Sequence, residues 1–312
     1  MASVKSYKRA VILGAAGFIG INLANTLAEQ GYELICFDRA SSPQWPVGAK
    51  AIIGDFASLP AELLEALDNA LVFHLVSSCR PSPSTAQAAE EVSLDLATTL
   101  RYLEATKARN LRWVFLSSGG TVYGQQDSER IVETSSTEPI CSYGLVKVAI
   151  EKYFALYRTL YGLDYVIARL ANPYGPWQHP LRGQGIIAAL TYKALKGDTI
   201  EIWGDGANIR DYIYITDATQ GILAAAWSGK SGEIYNIGTS MGHSINQLIE
   251  ILGKSLELEL KVNYSAARSV DVKRNVLDNV KITAHTGWKP STTIESGIAL
   301  TASWIEHNLK LW

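Results

Sequence analysis

Tyr143 and Lys147 stand four residues apart in the stretch Ser142-Tyr-Gly-Leu-Val-Lys147. On a helix that spacing sets a phenol and an ammonium on one face, a turn apart. A free phenol titrates near pH ~10 and is a poor base at neutral pH. A fixed positive charge beside it favours the phenolate and brings its pKa towards the working pH. A shift of roughly three units corresponds to about 4 kcal/mol, within reach of a lysine plus a cationic ring in a poorly solvated site. Such a pair can move a proton on and off a hydroxyl while another group takes a hydride. Tyr and Lys recur at this spacing on many helices, so the pair acquires meaning only if the chain also builds a site for a hydride acceptor.

The N-terminal segment supplies one. Arg9-Ala-Val-Ile-Leu13 is a short apolar run of buried-strand type, and Gly14-Ala-Ala-Gly17-Phe18-Ile19-Gly20 follows at once. A helical pattern runs from there to about Gln30, where Gly31 ends it, and Glu33-Leu-Ile-Cys-Phe37 is a second strand closed by Asp38. Strand, glycine turn, helix, strand and acid is the order of a dinucleotide-binding unit. The glycines let the backbone approach a pyrophosphate, the helix N-terminus faces it, and Asp38 can accept from the adenosine ribose hydroxyls. A carboxylate there repels a 2′-phosphate, which favours NAD over NADP; Arg39 beside it pulls the other way. A merely glycine-rich turn would not explain an acid placed 18 residues after Gly20.

The chain of 312 residues is long enough for one large α/β domain or a main domain with a smaller one attached. A hydrophobic fraction of 47% and a charged fraction of 19% are those of an ordinary globular protein. A net charge of -2 offers no electrostatic reason to expect nucleic acid or an anionic membrane as partner. Cys36, Cys79 and Cys141 form no C-x-x-C pair, which fits neither a disulfide framework nor a zinc site; no metal is expected. The start lacks the apolar core of a signal peptide, and no apolar run reaches the length of a membrane span. The expectation is a cytoplasmic protein.

Further along, Ala51-Ile-Ile53 is followed by Gly54-Asp55-Phe56, a helix over 60–67 and the strand Leu71-Val-Phe-His-Leu-Val76. Asp55 can meet an adenine edge or cap a turn. His74 inside its apolar run reads as a core histidine. Long amphipathic helices are expected over Thr85–Ala108 and Tyr143–Tyr161, with a strand ending at Ser117 between them. Repeated β-then-α units give an α/β, Rossmann-like, doubly wound parallel sheet. Beyond Tyr165–Leu170, Asn172-Pro-Tyr-Gly-Pro-Trp177 opens a Gly-, Pro- and aromatic-rich loop of the kind that covers a ligand. A helix over 186–196, strands over 200–203, 210–215 and 235–238, and a final helix near 294–307 follow. Residues 1–170 are therefore read as the cofactor domain, with segments near 210–240 returning to it, and 171–312 as mainly a smaller α/β substrate domain.

Taken in order, these residues resemble the extended short-chain dehydrogenases/reductases, in the nucleotide-sugar 4-epimerase branch. The resemblance rests on Gly14-x-x-Gly17-Phe-Ile-Gly20, Asp38, Gly54-Asp55, His74-Leu75, Ser117-Ser118, Val122-Tyr-Gly124, Tyr143-x-x-x-Lys147, Asn172-Pro-Tyr-Gly-Pro176, Arg210-Asp-Tyr-Ile213, Tyr235-Asn-Ile-Gly238 and Arg268-x-x-Asp271. It implies that Tyr143 is the acid/base and that Lys147 holds the nicotinamide ribose. Phe18, Ile19, Asp55, Phe56, Leu75, Val76, Ser77 and Leu170 would line NAD. Asn172, Arg210 and Arg268 would hold the diphosphate of a UDP-linked sugar, with Asp271 on the nucleoside ribose and Trp203 beside the base. Arg210 and Arg268 taken singly read as surface ion-pairing residues. The resemblance also implies a homodimer through the helices over 85–108 and 143–161.

Three positions depart from the family pattern. Gly119 stands where a Ser or Thr usually bonds the reacting hydroxyl, so Thr121, then Ser118, are the candidate stand-ins. Asp95 replaces an Asn in the first of the long helices. Asn275 stands where the family varies between a bulky tyrosine and smaller groups, which would leave room for a 2-acetamido substituent. The reaction implied is 4-epimerisation of a UDP-hexose or UDP-N-acetylhexosamine through a 4-keto sugar. A one-way keto-sugar reductase or dehydrogenase needs the same residues. A 4,6-dehydratase needs an Asp-Glu pair where this chain has Gly120-Thr121, and a non-catalytic NAD-binding regulator would not need the Tyr143–Lys147 pair.

Overall fold

The computed structural model describes residues 7–78, 85–266 and 272–312. Among the described residues, six strands lie before Asn172: β1 (Arg9–Leu13), β2 (Glu33–Asp38), β3 (Lys50–Ile53), β4 (Ala70–His74), β5 (Arg112–Ser118) and β6 (Tyr165–Leu170). The second half adds β7 (Asn172–Tyr174), β8 (Ile200–Trp203), β9 (Ile209–Tyr214), β10 (Glu233–Ile237), β11 (Gly242–Ser244), β12 (Val262–Ser265) and β13 (Arg274–Asn275). A seven-stranded sheet runs β10-β6-β5-β4-β1-β2-β3 with every pair parallel. The chain winds outward from β1 to β3, returns to β4 on the other side of β1, and winds the opposite way. That reversal opens a crevice beyond the carboxyl ends of β1 and β4, the place where open α/β sheets bind ligands. β7, β9, β11 and β13 form a small sheet around β9, and β8 pairs with β12.

The helices are α1 (Phe18–Glu29), α2 (Ala61–Ala66), α3 (Ala88–Glu91), α4 (Thr98–Thr106), α5 (Ser142–Tyr161), α6 (Ile186–Lys196), α7 (Ile215–Ser228), α8 (Ile245–Leu256), α9 (Val280–Thr286) and α10 (Ile294–His307). α1 and α7 on one side and α4 and α5 on the other cover the two faces of the large sheet, and the strand sequences show why. Successive side chains of a strand point to opposite faces, and every residue of β4 and β6 is buried. In β1, Ala10 and Ile12 join the core made with Leu23, Leu27, Ile222 and Leu223 of α1 and α7. Val11 and Leu13 join the other core, with Tyr102, Leu103, Ile150 and Phe154 of α4 and α5.

Two expectations are corrected. The single helix over Thr85–Ala108 is three pieces, because a π turn (Val92–Ala97) lies between α3 and α4. The Asp95 carboxylate in that turn accepts from Ser78 N (2.8 Å) and Ser77 Oγ (3.1 Å), and Thr99 Oγ1 donates to the Asp95 carbonyl (2.6 Å). The strand expected over 210–215 ends at Tyr214, and Ile215 begins α7. α7, α8 and α9 were not read from the sequence, although the capping box of Ser244 and Gln247 that starts α8 is a local signal. Among the described residues, no helix is long and apolar enough to cross a membrane.

Candidate active site

At the end of β1, Gly14 has φ +90, and a Cβ there would press on the Leu75 and Val76 backbone at 3.2 Å. A Cβ on Gly20 would overlap the Gly14 carbonyl and come within 2.8 Å of Ala15 Cα. Only glycine permits this closeness, and it brings the start of α1 down onto the turn. Gly17 is the N-cap of α1 without a side-chain cap, so the first amides of the helix face outward as anion donors. Asp38 at the end of β2 accepts from Ala16 N (2.9 Å) and Arg39 N (2.7 Å), pinning the turn to the strand tip. Trp45 Nε1 donates to Ala15 O (2.9 Å) from a loop that carries no recognisable motif. These residues fit a dinucleotide: a cradle that side chains would fill, a helix N-terminus above it and an acid beside it. Arg39 is exposed, and Phe18 and Ile19 are part-buried on the core at the first turn of α1. Asp55 caps the turn over 56–58, accepting from Ala57 N (2.8 Å), and the Phe56 ring stacks on Tyr102 at 4.3 Å inside the core.

The second half of the site is built by the start of α5. A Cβ on Gly144 would come within 2.8 Å of both the Thr121 carbonyl oxygen and Pro139 Cβ. The glycine after Tyr143 therefore lets the helix abut the turn that carries Ser118, Gly119 and Thr121. Thr121 N and Val122 N both donate to Ser118 O. The Thr121 hydroxyl is buried and has no hydrogen-bond partner among the described residues, so it caps nothing in the turn. Lys147 is 3% exposed; its Nζ donates to Leu116 O (3.2 Å) and lies 4.8 Å from the Phe115 ring centre and 5.5 Å from that of Tyr143.

The protonation of the pair differs from expectation. Burial pushes the Tyr143 phenol up, and the acidic groups of Asp95, Cys141 and Glu91 push the same way. Lys147 does not bring it down in the protein by itself. Burial lowers Lys147 to about 8, against the opposing pull of Asp95 and Glu151. The physical reason is desolvation: both charged forms lose hydration, and the nearest further charges are negative. His74 is a core histidine, as read: its Nε2 meets Thr99 Oγ1 at 2.8 Å, and burial first, then Lys147, lower it to about 3.

On the substrate side, Asn172 Nδ2 donates to Asp211 O (2.9 Å), and a Cβ on Gly120 would sit 3.6 Å from Asn172 Oδ1. Asn275 is 1% exposed and its Nδ2 donates to Gly119 O (3.0 Å), while its Oδ1 is buried without a partner among the described residues. Gly119 is not a vacant place. A Cβ there would overlap Leu277 Cδ1, meet Cδ2 at 3.0 Å and the Leu170 carbonyl at 3.2 Å. The hydroxyl side chain of the family pattern is displaced by Leu277 arriving from the C-terminal segment. Asp211, beside Arg210, is wholly buried and takes Thr239 N and Oγ1, Ser240 N and Leu277 N, tying β9 to both following segments. Sequence reading passed over it in favour of its arginine neighbour. Arg210 Nη1 donates to Ile209 O (2.9 Å), and Trp203 at the end of β8 is 53% exposed. Arg268 and Asp271 lie outside the described residues, as does Cys79.

The Tyr143–Lys147 pair at the start of α5 and the glycine turn at the start of α1 both follow the carboxyl ends of strands of the doubly wound sheet. The sequence pattern agrees: the chain belongs to the NAD-dependent epimerase/dehydratase family, whose model matches residues 10–238. Along nearly its whole length it is similar to the UDP-glucose 4-epimerase of Mycolicibacterium smegmatis, 29% identical over 96% of this chain and 99% of the relative. It is also similar to two solved structures. One is a UDP-glucose 4-epimerase from Thermotoga maritima with UDP-glucose (TM-score 0.90, 31% identity, 96% and 99% covered). The other is a UDP-N-acetylglucosamine 4-epimerase from Methanobrevibacter ruminantium in complex with UDP-N-acetylmuramic acid (TM-score 0.89, 26% identity, 97% and 99% covered).

Proposed function

We propose that this protein is an NAD-dependent 4-epimerase of a UDP-hexose or UDP-N-acetylhexosamine. The observation that carries the reading is Tyr143, held against the 118–121 turn, with the buried Lys147 below it and no acid at Gly120 or Thr121 for elimination. The similarity to UDP-sugar 4-epimerases over almost the full chain supports it. Bound NAD would take up and give back a hydride. Gly14, Gly17 and Gly20 leave room for its pyrophosphate at the start of α1, and Asp38 lies where a ribose would be met. Tyr143 removes the proton of the sugar 4-hydroxyl and later returns it. Thr121 is the preferred hydroxyl for holding the reacting oxygen, with Ser118 second. Asn172, Arg210, Trp203, Asn275 and the segment with Arg268 and Asp271 are assigned to the sugar nucleotide, within a region, 171–312, given mainly to substrate.

Two further properties are proposed, with support from the surface and the thiols. α5 exposes Leu145 (58%), Leu156 and Leu160 (59%), and Val92 of the neighbouring π turn is exposed as well. Apolar groups aligned along one helix suit a homodimer in which α5 and the 88–106 segment meet their copies. Cys36 and Cys141 are free, in keeping with a cytoplasmic location. The deciding experiment incubates the purified protein with a panel of UDP-sugars, without added reductant, and separates the products. Interconversion of 4-epimers with NAD retained is expected. Net accumulation of NADH with an oxidised sugar would instead identify a one-way dehydrogenase, and loss of water from the sugar a dehydratase.

A further inference from the structure

The loop over 39–49, between β2 and β3, is tied back to the glycine turn and to α1. Gly17 N donates to Gly14 O (3.3 Å), so residues 14–17 close a four-residue turn whose central peptide joins Ala15 to Ala16. The orientation of that peptide is what varies between turns of this length. Here both of its polar groups are taken. Ala16 N donates to Asp38 Oδ2 (2.9 Å), and the Ala15 carbonyl accepts from Trp45 Nε1 (2.9 Å). The loop has its own footing: Asn25 Nδ2, on α1, donates to Gln44 O (3.1 Å), Trp45 N donates to Ser42 O (3.2 Å), and the Trp45 ring packs part-buried on the core. Ala15 is also where α1 comes to rest. A Cβ on Gly20 would lie 2.8 Å from Ala15 Cα and 2.9 Å from Ala15 C. The carbon whose oxygen Trp45 holds is therefore the floor under the first turn of the helix.

We propose that Trp45 is a positioning residue for the dinucleotide: with Asp38 it grips the Ala15–Ala16 peptide from both edges, and Asn25 holds its loop in place. This rests on the reading of residues 14–20 as the NAD cradle. Donors that are already aimed bind an anion better than donors that must be ordered on binding, because the ordering costs affinity. A peptide held along one edge can rock, and Gly20 with the first amides of α1 rocks with it. Asp38 supplies one edge and the indole N–H the other. Asn25 serves the same end from two turns further along α1, so the helix and the turn are joined through the loop as well as through the chain. The hold acts on the affinity and residence of NAD and leaves the proton transfer at Tyr143 alone. Trp45 belongs to no dinucleotide motif; the bond to Ala15 spans 30 positions and exists only in the folded chain.

The test loads the protein with radiolabelled NAD and follows its release into excess unlabelled NAD. Trp45→Phe keeps an aromatic ring on the core and removes the N–H. It should release NAD roughly 3- to 10-fold faster, the worth of one hydrogen bond. The change should fall on NAD release and NAD affinity, with kcat at saturating NAD and KM for the UDP-sugar changed less than about twofold. Asn25→Ala, which loosens the loop and spares the indole, should speed release by less. Val47→Ala alters an exposed side chain of the same loop and should release NAD as wild type does. Release from Trp45→Phe at the wild-type rate overturns the proposal. A loss spread equally over NAD release, kcat and sugar KM overturns it too, since general loosening of the fold would give that. If Trp45→Phe does not fold, an Asn25→Ala protein that releases NAD as wild type does the same. Wild-type protein that takes up no NAD would end the cradle reading itself; wild type that retains NAD while Trp45→Phe releases it no faster ends the proposal alone.

Discussion

Two cations lie buried where α5 crosses the sheet, and they are treated in opposite ways. Arg169 of β6 is fully provided for: Nε and Nη2 reach Glu151 at 3.1 and 2.6 Å, Nη1 donates to Glu133 O at 3.3 Å, and the Tyr123 ring lies 4.7 Å away. Glu151 takes a further bond from Ser117 Oγ at 2.5 Å. Lys147, one turn before Glu151, has the Leu116 carbonyl and two ring faces. Burial opposes both charges. At Arg169 the Glu151 carboxylate outweighs it and the guanidinium is pushed up; at Lys147 nothing does, and the ammonium falls to about 8. A buried charge with all its partners holds elements together, whereas one with few partners sits near its titration point and can serve chemistry. On one helix, four residues separate the two uses.

Substitutions can pull the two apart. The largest effect is expected from Tyr143→Phe, which should cut kcat by roughly 100- to 10,000-fold while NAD binding and thermal stability stay near wild type; steady-state kinetics with an NAD titration checks it. Glu151→Ala should act on stability instead, costing about 3–5 kcal/mol in denaturant unfolding because Arg169 is left charged and unpaired. Retention of wild-type stability would dissolve the contrast.

A pH signature comes next. Lys147 is held at about 8 in the folded chain against ~10.4 unfolded, so the folded state binds this proton less tightly. The penalty is fully present below about pH 8 and is relieved as pH rises towards ~10.4, a gain on the order of 3 kcal/mol. Lys147→Met should remove that rise from the stability curve and, unlike Glu151→Ala, leave the protein no less stable at neutral pH. Turnover should fall as pH passes about 8, where the ammonium is lost.

Smaller effects sharpen the substrate side. Gly119→Ser should destabilise by about 1–3 kcal/mol through overlap with Leu277 and should not raise the rate. Gly119→Ser combined with Leu277→Ala, which clears the space, should recover part of the loss. Thr121→Val keeps the shape and removes a hydroxyl that caps nothing. It should change stability by less than about 1 kcal/mol while lowering kcat measurably; an unchanged kcat would leave the reacting oxygen to Ser118.

What the sequence determined by itself is local. Strand, glycine turn, helix, strand and Asp38 fall within thirty residues, and their geometry follows from short-range rules: which residues tolerate a tight turn, which alternate in a buried strand, where a carboxylate ends one. Tyr143 and Lys147 share a face because four residues make about one turn. What only the tertiary structure decided concerns atoms brought together from far along the chain. Leu277 fills the space beside Gly119, 158 positions away, so the hydroxyl looked for there has no room. Asp95 reaches back to Ser77 and Ser78 and breaks a helix that periodicity had drawn as continuous. The direction in which Tyr143 titrates follows the same logic. The sign of a lysine's effect on a phenol is a matter of charge and can be read from residue types. Desolvation is a sum over every neighbour that excludes water, and the neighbours of α5 come from β5, β6 and the 88–106 segment, which only folding assembles.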